Sequence, residues 1–219
     1  MTLAEAERRA FRITASCAAI AVAVACAPAL RERYAWAREL WLLRATGWTA
    51  LAALALSLCA TPAGRLLSRL APRWSDASQI AAFRRALGLA ATVIGAIHLA
   101  LALATYLRDA PGAVLEYPFL RSGLLALAVM IVLALTSFPA VNRAAGIKLW
   151  KHLHRLAYAA ALLASHHVMI SPFAPRAPAL AVFGATFAFG LLRLLPARNR
   201  ARPEPASGDS PDSAAQGDG

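Results

Sequence analysis

The sequence predicts an all-α fold: a polytopic membrane bundle of six transmembrane helices. Three observations carry that expectation. Hydrophobic residues make up 59% of the 219, with a mean hydropathy of +0.55, against roughly 45–50% apolar residues in a soluble domain. The charged residues fall between the apolar runs rather than within them. No run shows the period-two alternation of a membrane barrel strand.

Six apolar runs approach the ~20 residues that cross a bilayer as a helix. The first, Ile13–Leu30, follows Arg8, Arg9 and Arg12. Glu7-Arg8-Arg9-Ala10-Phe11-Arg12 ahead of an apolar stretch and Ala25-Cys26-Ala27 also resembles a twin-arginine export signal with a cleavage site. A span followed by five more needs no separate export signal, so the run is read as the first membrane helix. The second and third are Thr46–Leu67 and Leu87–Leu107, the latter carrying His98. Gly123–Val141 is the fourth, Leu153–Pro172 with His154 and His167 the fifth, and Ala177–Leu195 the sixth. The second and sixth have the weakest ends. Residues 1–12 then form an N-terminal segment, 13–195 the bundle and 196–219 a tail. From Pro203 the tail is Pro, Gly, Ser, Asp and Ala with almost no bulky apolar residue, a composition expected to be disordered.

Basic residues set the orientation. The N-terminus, the second and fourth loops and the C-terminus hold 16 of the Lys and Arg residues, and the opposite side holds 7. By the positive-inside rule both termini lie in the cytoplasm, in a bacterial inner membrane. The four arginines assigned to the first external loop (Arg31, Arg33, Arg38, Arg44) are the weak point. The net charge of +12 does not indicate nucleic acid, because its cations cluster at span ends, where they meet anionic lipid, rather than forming one face. Cys17, Cys26 and Cys59 are odd in number, without metal-ligand spacing, and read as small buried hydrophobes.

An ionisable side chain at membrane depth marks a functional site by default, and neutral imidazole on facing helices is a haem ligand. His98 lies 13 residues beyond Arg85, and His167 lies 13 beyond His154; each step is about 20 Å along a helix. The third and fifth spans run in the same direction, so His98 and His167 reach the same level and could ligate one haem from its two faces. No C-x-x-C-H occurs, which points to b-type rather than covalent haem. His154 opens the fifth span, equally suited to ligation and to an interfacial position. On an ideal helix His152 and His166 share a face better than His154 and His167 do, so spacing alone leaves open which histidines act.

Arg84-Arg85-Ala86-Leu87-Gly88-Leu89, then Ile97-His98-Leu99 and Tyr106-Leu107, resembles the third span of the MsrQ (YedZ) family. Trp150-Lys151-His152-Leu153-His154-Arg155-Leu156-Ala157-Tyr158, with His167 thirteen residues after His154, resembles that family's W-x-x-L-H-x-x-x-Y…H segment. Thr46-Gly47-Trp48-Thr49-Ala50-Leu51 with Thr61-Pro62 resembles its second span. The likeness covers roughly residues 45–170 and implies a ferric-reductase-like bundle in which His98, His154 and His167 are the haem-associated positions. His152 and His166 have no counterpart. Larger ferric reductases stack two haems on paired histidines. Here Arg85 stands 13 residues before His98, so one haem is expected, with Arg84 or Arg85 available to a haem propionate.

The resemblance further implies electrons drawn from membrane quinol or from a flavin reductase. They would pass to a periplasmic molybdopterin-containing partner, MsrP, that reduces methionine sulfoxide. It also implies an FMN, for which no residue here gives a place. The chain contains no G-x-G-x-x-G unit for NAD(P)H. The competing readings are another haem-containing membrane reductase or quinol-linked cytochrome, distinguished by its electron acceptor, and a cofactor-free transporter, which would show no Soret band.

Overall fold

In the computed structural model the described residues are 3–70, 77–138, 141, 146, 148–150 and 152–192. The helices are α1 (Leu3–Cys26), α2 (Ala35–Leu70), α3 (Ala77–Ala104), the short α4 (Ala113–Glu116), α5 (Pro118–Leu135), α6 (Leu156–Ile170) and α7 (Arg176–Leu192), and a 3₁₀ turn, Ala27–Arg31, follows α1. Each of the six apolar runs is largely helical over its described residues, and no strand occurs among the described residues. By length and composition four helices can cross a bilayer: Arg8–Arg31, Ala35–Gly64, Gln79–Ala104 and Pro118–Leu135. The apolar α6 and α7 have 15 and 17 residues, about 22 and 26 Å of rise. The chain is a multi-pass membrane protein.

Helix ends differ from the hydropathy windows in an instructive way. α2 starts at Ala35, well before Thr46, so Arg38 and Arg44 stand on the helix rather than in an external loop. Ala, Leu, Arg and Glu between positions 35 and 45 are good helix formers, so the backbone stays helical beyond the purely apolar stretch. α3 likewise begins at Ala77 and carries Arg84 and Arg85. α5 ends at Leu135, short of Val141, and α6 begins at Leu156 rather than Leu153. The expected tail, the C-terminal arginines, Arg73, Arg143 and Lys151 lie outside the described residues.

α2 pairs with α3 and α5 pairs with α6; α1 packs on α2 and α3, α7 on α6 and α2, and α3 meets α5. The contact surfaces are built from small side chains. Ala91 of α3 and Ala160 of α6 are 0% exposed, and they pack with Leu54, Leu58, Met130 and Ala161. In lipid there is no hydrophobic drive between helices, so close approach over Ala and interhelical hydrogen bonds must supply association. Ser57 Oγ provides such a bond, donating to the Arg84 carbonyl across α2 and α3 at 2.9 Å. Large apolar side chains such as Ile20, Val24, Leu56, Val93 and Leu125 point outward, as a lipid-facing surface requires.

Candidate functional site

Neighbouring helices run antiparallel, so one end of the bundle gathers the start of α2, the end of α3, the start of α5 and the end of α6. His98, six residues from the end of α3, and His167, three from the end of α6, meet there. Their ring centroids are 6.2 Å apart with planes at 77°. They border a cavity of about 490 Å³ between α2, α3, α5 and α6, walled almost wholly by apolar side chains such as Leu51, Leu54, Leu124 and Leu127.

Each imidazole is pinned in the same way. His98 Nδ1 donates to the Leu43 carbonyl of α2 at 3.1 Å, with Thr46 Oγ1 3.3 Å away. His167 Nδ1 donates to the Phe119 carbonyl of α5 at 2.7 Å, its ring stacked near Phe119 at 21°. A carbonyl only accepts, so both rings must carry their proton on Nδ1, which leaves Nε2 with a bare lone pair. No hydrogen bond among the described residues engages either Nε2. Two glycines make the room. A Cβ on Gly47 would lie 3.1 Å from His98 Cε1, and one on Gly123 would lie 2.9 Å from His167 Nδ1. Glycine at these two positions lets the helix backbones approach the rings.

Two imidazoles sharing one ion at ~2 Å from opposite sides place their ring centroids about 6 Å apart, which is the spacing found. Among the described residues no group of three or more His, Cys, Asp or Glu side chains could hold a metal ion. Two imidazole ligands beside a large apolar cavity therefore suit an iron already held in a macrocycle better than a bare ion. The donor set and the walls fit haem.

The other candidate residues lie elsewhere. His154 and Arg85 do not line this cavity. They meet at the opposite end of the bundle, where the Arg85 guanidinium donates to the Ser137 carbonyl. His154 Nδ1 donates to the Trp150 carbonyl at 3.2 Å, and its Nε2 lies 3.4 Å from Ser137 Oγ. The Trp150 and His154 rings are 4.2 Å apart. His152 and His166, which ideal helical spacing would favour, are both exposed. Shared exposure is compatible with a common face for His152 and His166, but that face is not the one at the cavity; around His154 and Arg155 the backbone bonds shorten to i→i−3, a tighter turn than the ideal helix assumes. Sequence reasoning missed Leu43 and Phe119, which act through backbone carbonyls that carry no side-chain signal. It also missed Gly123. Gly47 lay within a quoted motif but had no role attached, and Arg44, which lines the cavity, counted only toward orientation.

Comparison with known proteins places this geometry in context. Residues 46–165, more than half of the chain, match the family model described as "Ferric reductase like transmembrane component". The chain is 38% identical over 129 residues to a protein-methionine-sulfoxide reductase heme-binding subunit MsrQ of Deinococcus radiodurans, covering 56% of this chain and 58% of that one. It is 34% identical over 140 residues to an MsrQ of Azospira oryzae, covering 58% and 53%. It is also similar to the magnetosome protein MamZ of Paramagnetospirillum magneticum, 37% identical over 95 residues that make up 41% of this chain and 15% of MamZ. The chain thus spans little more than half the length of the two MsrQ proteins it matches.

Proposed function

We propose that this chain, which belongs to the ferric-reductase-like transmembrane component family, is a membrane electron-transfer subunit holding haem b between His98 and His167. In this reading it accepts electrons from the quinol pool, or from a flavin reductase. It delivers them to a periplasmic molybdopterin-containing methionine-sulfoxide reductase subunit of the MsrP type. One observation carries the proposal: two imidazoles of one tautomer, 6.2 Å apart, at the edge of a large apolar cavity. The MsrQ proteins it resembles are named as heme-binding subunits of that reductase system, which supports both the cofactor and the catalytic partner.

Haem, when bound, supplies one-electron chemistry. The chain's residues supply the rest. His98 and His167 would each give Nε2 to the iron, oriented by the Nδ1–H bonds to Leu43 and Phe119, which also make each ring a stronger donor. Gly47 and Gly123 let the rings sit in place, and the leucine walls exclude water. His154 lies beside Trp150 and Ser137 at the far end; in this reading that end faces the cytoplasm and takes in the electrons. No residue is assigned to FMN, and no step is routed through it.

The test is the optical spectrum of detergent-solubilised protein, oxidised and dithionite-reduced. A Soret band with sharp reduced α and β bands is expected, and a protein without Soret absorbance refutes the proposal. Reoxidation of the reduced protein by MsrP, but not by ferric chelates, separates the reductase partner from iron as the acceptor.

A further inference from the structure

Among the described residues that line the cavity, Arg44 is the one with a charged Lys, Arg, Asp or Glu side chain. It stands on α2 one residue after Leu43, whose carbonyl holds His98, and one turn before Gly47. The residue is half-buried, and its Nε donates to the Phe173 carbonyl just beyond α6 at 2.9 Å. That bond fixes the guanidinium plane and leaves the N–H groups of both terminal nitrogens uncommitted. No carboxylate among the described residues pairs with it. A cation on an apolar wall inside a membrane helix is costly unless an anion meets it. The chain does not supply that anion among the described residues, which leaves the guanidinium open to an anionic group of a ligand in the cavity.

We propose that Arg44 is the site that binds a carboxylate of the group held by His98 and His167, a porphyrin propionate. The inference rests on the haem reading above and adds the orientation of the macrocycle, with its acidic edge toward Arg44 and Phe173. Arginine suits the task because its planar fork meets both oxygens of a carboxylate and stays charged when partly desolvated. Arg84 and Arg85, the candidates from sequence, do not line the cavity, and the Arg85 guanidinium donates to Ser137 at the other end.

The experiment compares the wild-type holoprotein with Arg44→Leu, Arg44→Gln and Arg44→Lys in detergent, each carrying haem b or haem b dimethyl ester, whose carboxylates are blocked. The rate of haem loss to an excess of a haem-scavenging protein is the readout, with the midpoint potential as a second. Wild type should hold haem b about tenfold longer than the ester, the size of one charge-assisted pair. In Arg44→Leu and Arg44→Gln that preference should vanish, and Arg44→Lys should keep part of it. The midpoint should fall in both neutral variants, because a positive charge that disfavours ferric iron is gone. The Gln variant retains an N–H for the Phe173 carbonyl, so it separates charge from packing. Equal acceleration for haem and ester would make Arg44 a purely structural anchor and overturn the proposal, as would unchanged rates. Absence of haem from the wild-type protein would instead overturn the haem reading itself.

Discussion

Replacing Gly123 by alanine should weaken cofactor binding without unfolding the bundle. The added Cβ would lie 2.9 Å from His167 Nδ1, 3.1 Å from Cγ and 3.2 Å from Cε1, where comfortable contact begins near 3.5 Å. The ring must retreat by about half an ångström, yet its Nδ1 is tied to the Phe119 carbonyl at 2.7 Å. Functional constellations tolerate displacements of only ~0.5 Å. Overpacking of this kind costs about 1–3 kcal/mol, and the gain in helix propensity from Gly to Ala returns about 1 kcal/mol. Net stability therefore changes by at most about 2 kcal/mol, while the ligand is pushed off position. A loss of 1–2 kcal/mol at the ligand is roughly a five- to thirtyfold drop in haem affinity. Haem per protein from the reduced spectrum and the melting temperature of the same sample give both numbers. Gly47→Ala, at 3.1 Å from His98 Cε1, should act in the same direction and less strongly. Gly184→Ala, with open space around the new Cβ, should leave haem unchanged. Wild-type haem occupancy and an unaltered spectrum in Gly123→Ala would refute the reasoning, because His167 would then not be held where the ligand must be.

His98→Ala and His167→Ala should each abolish or severely lower haem content at unchanged membrane level, and His166→Ala should not. Full retention in both would sink the pairing, and loss in His166→Ala with retention in His167→Ala would transfer the role. His154→Ala should slow quinol-driven haem reduction more than it lowers total haem; a clean loss of half the haem would reveal a second haem ligated by His154. Reporter fusions after Arg73 and Asn199 should behave as cytoplasmic and one after Gly112 as periplasmic, an external signal at Arg73 overturning the orientation.

The helices were legible because a bilayer imposes a length and a composition on every element that crosses it, and six runs met both. The ends were less legible. α2 runs back to Ala35 because helix propensity and interfacial charge do not stop where the hydropathy window does. The meeting of His98 and His167 was foreseeable from equal offsets on two parallel helices, since 1.5 Å per residue converts spacing into depth. Which ring of the fifth span faces inward was not foreseeable, because spacing says which rings share a face but not which face meets α3, and the i→i−3 turn around His154 and Arg155 departs from the ideal helix. The partners of the two rings were invisible for a different reason. Leu43 and Phe119 contribute carbonyl oxygens, which every residue possesses, so only the fold selects them.

The tautomers carry the argument on haem number one step further. All three candidate histidines donate from Nδ1 to a backbone carbonyl, so all three present Nε2 as their free lone pair. For His98 and His167 that lone pair meets no hydrogen-bond donor among the described residues. For His154, Nε2 lies 3.4 Å from Ser137 Oγ, whose proton goes to the Leu133 carbonyl at 2.7 Å, while the Arg85 guanidinium holds the carbonyl of the same serine. The two clusters lie about 20 Å apart along α3, thirteen residues at 1.5 Å each, well beyond the reach of an arginine side chain. Arg85, held by Ser137 and absent from the cavity wall, does not face a cofactor held by His98, and the third helix offers His154 an arginine where a second ligand would have to stand. With no second ligand for His154 on that helix, the arrangement favours one haem, at the His98–His167 end.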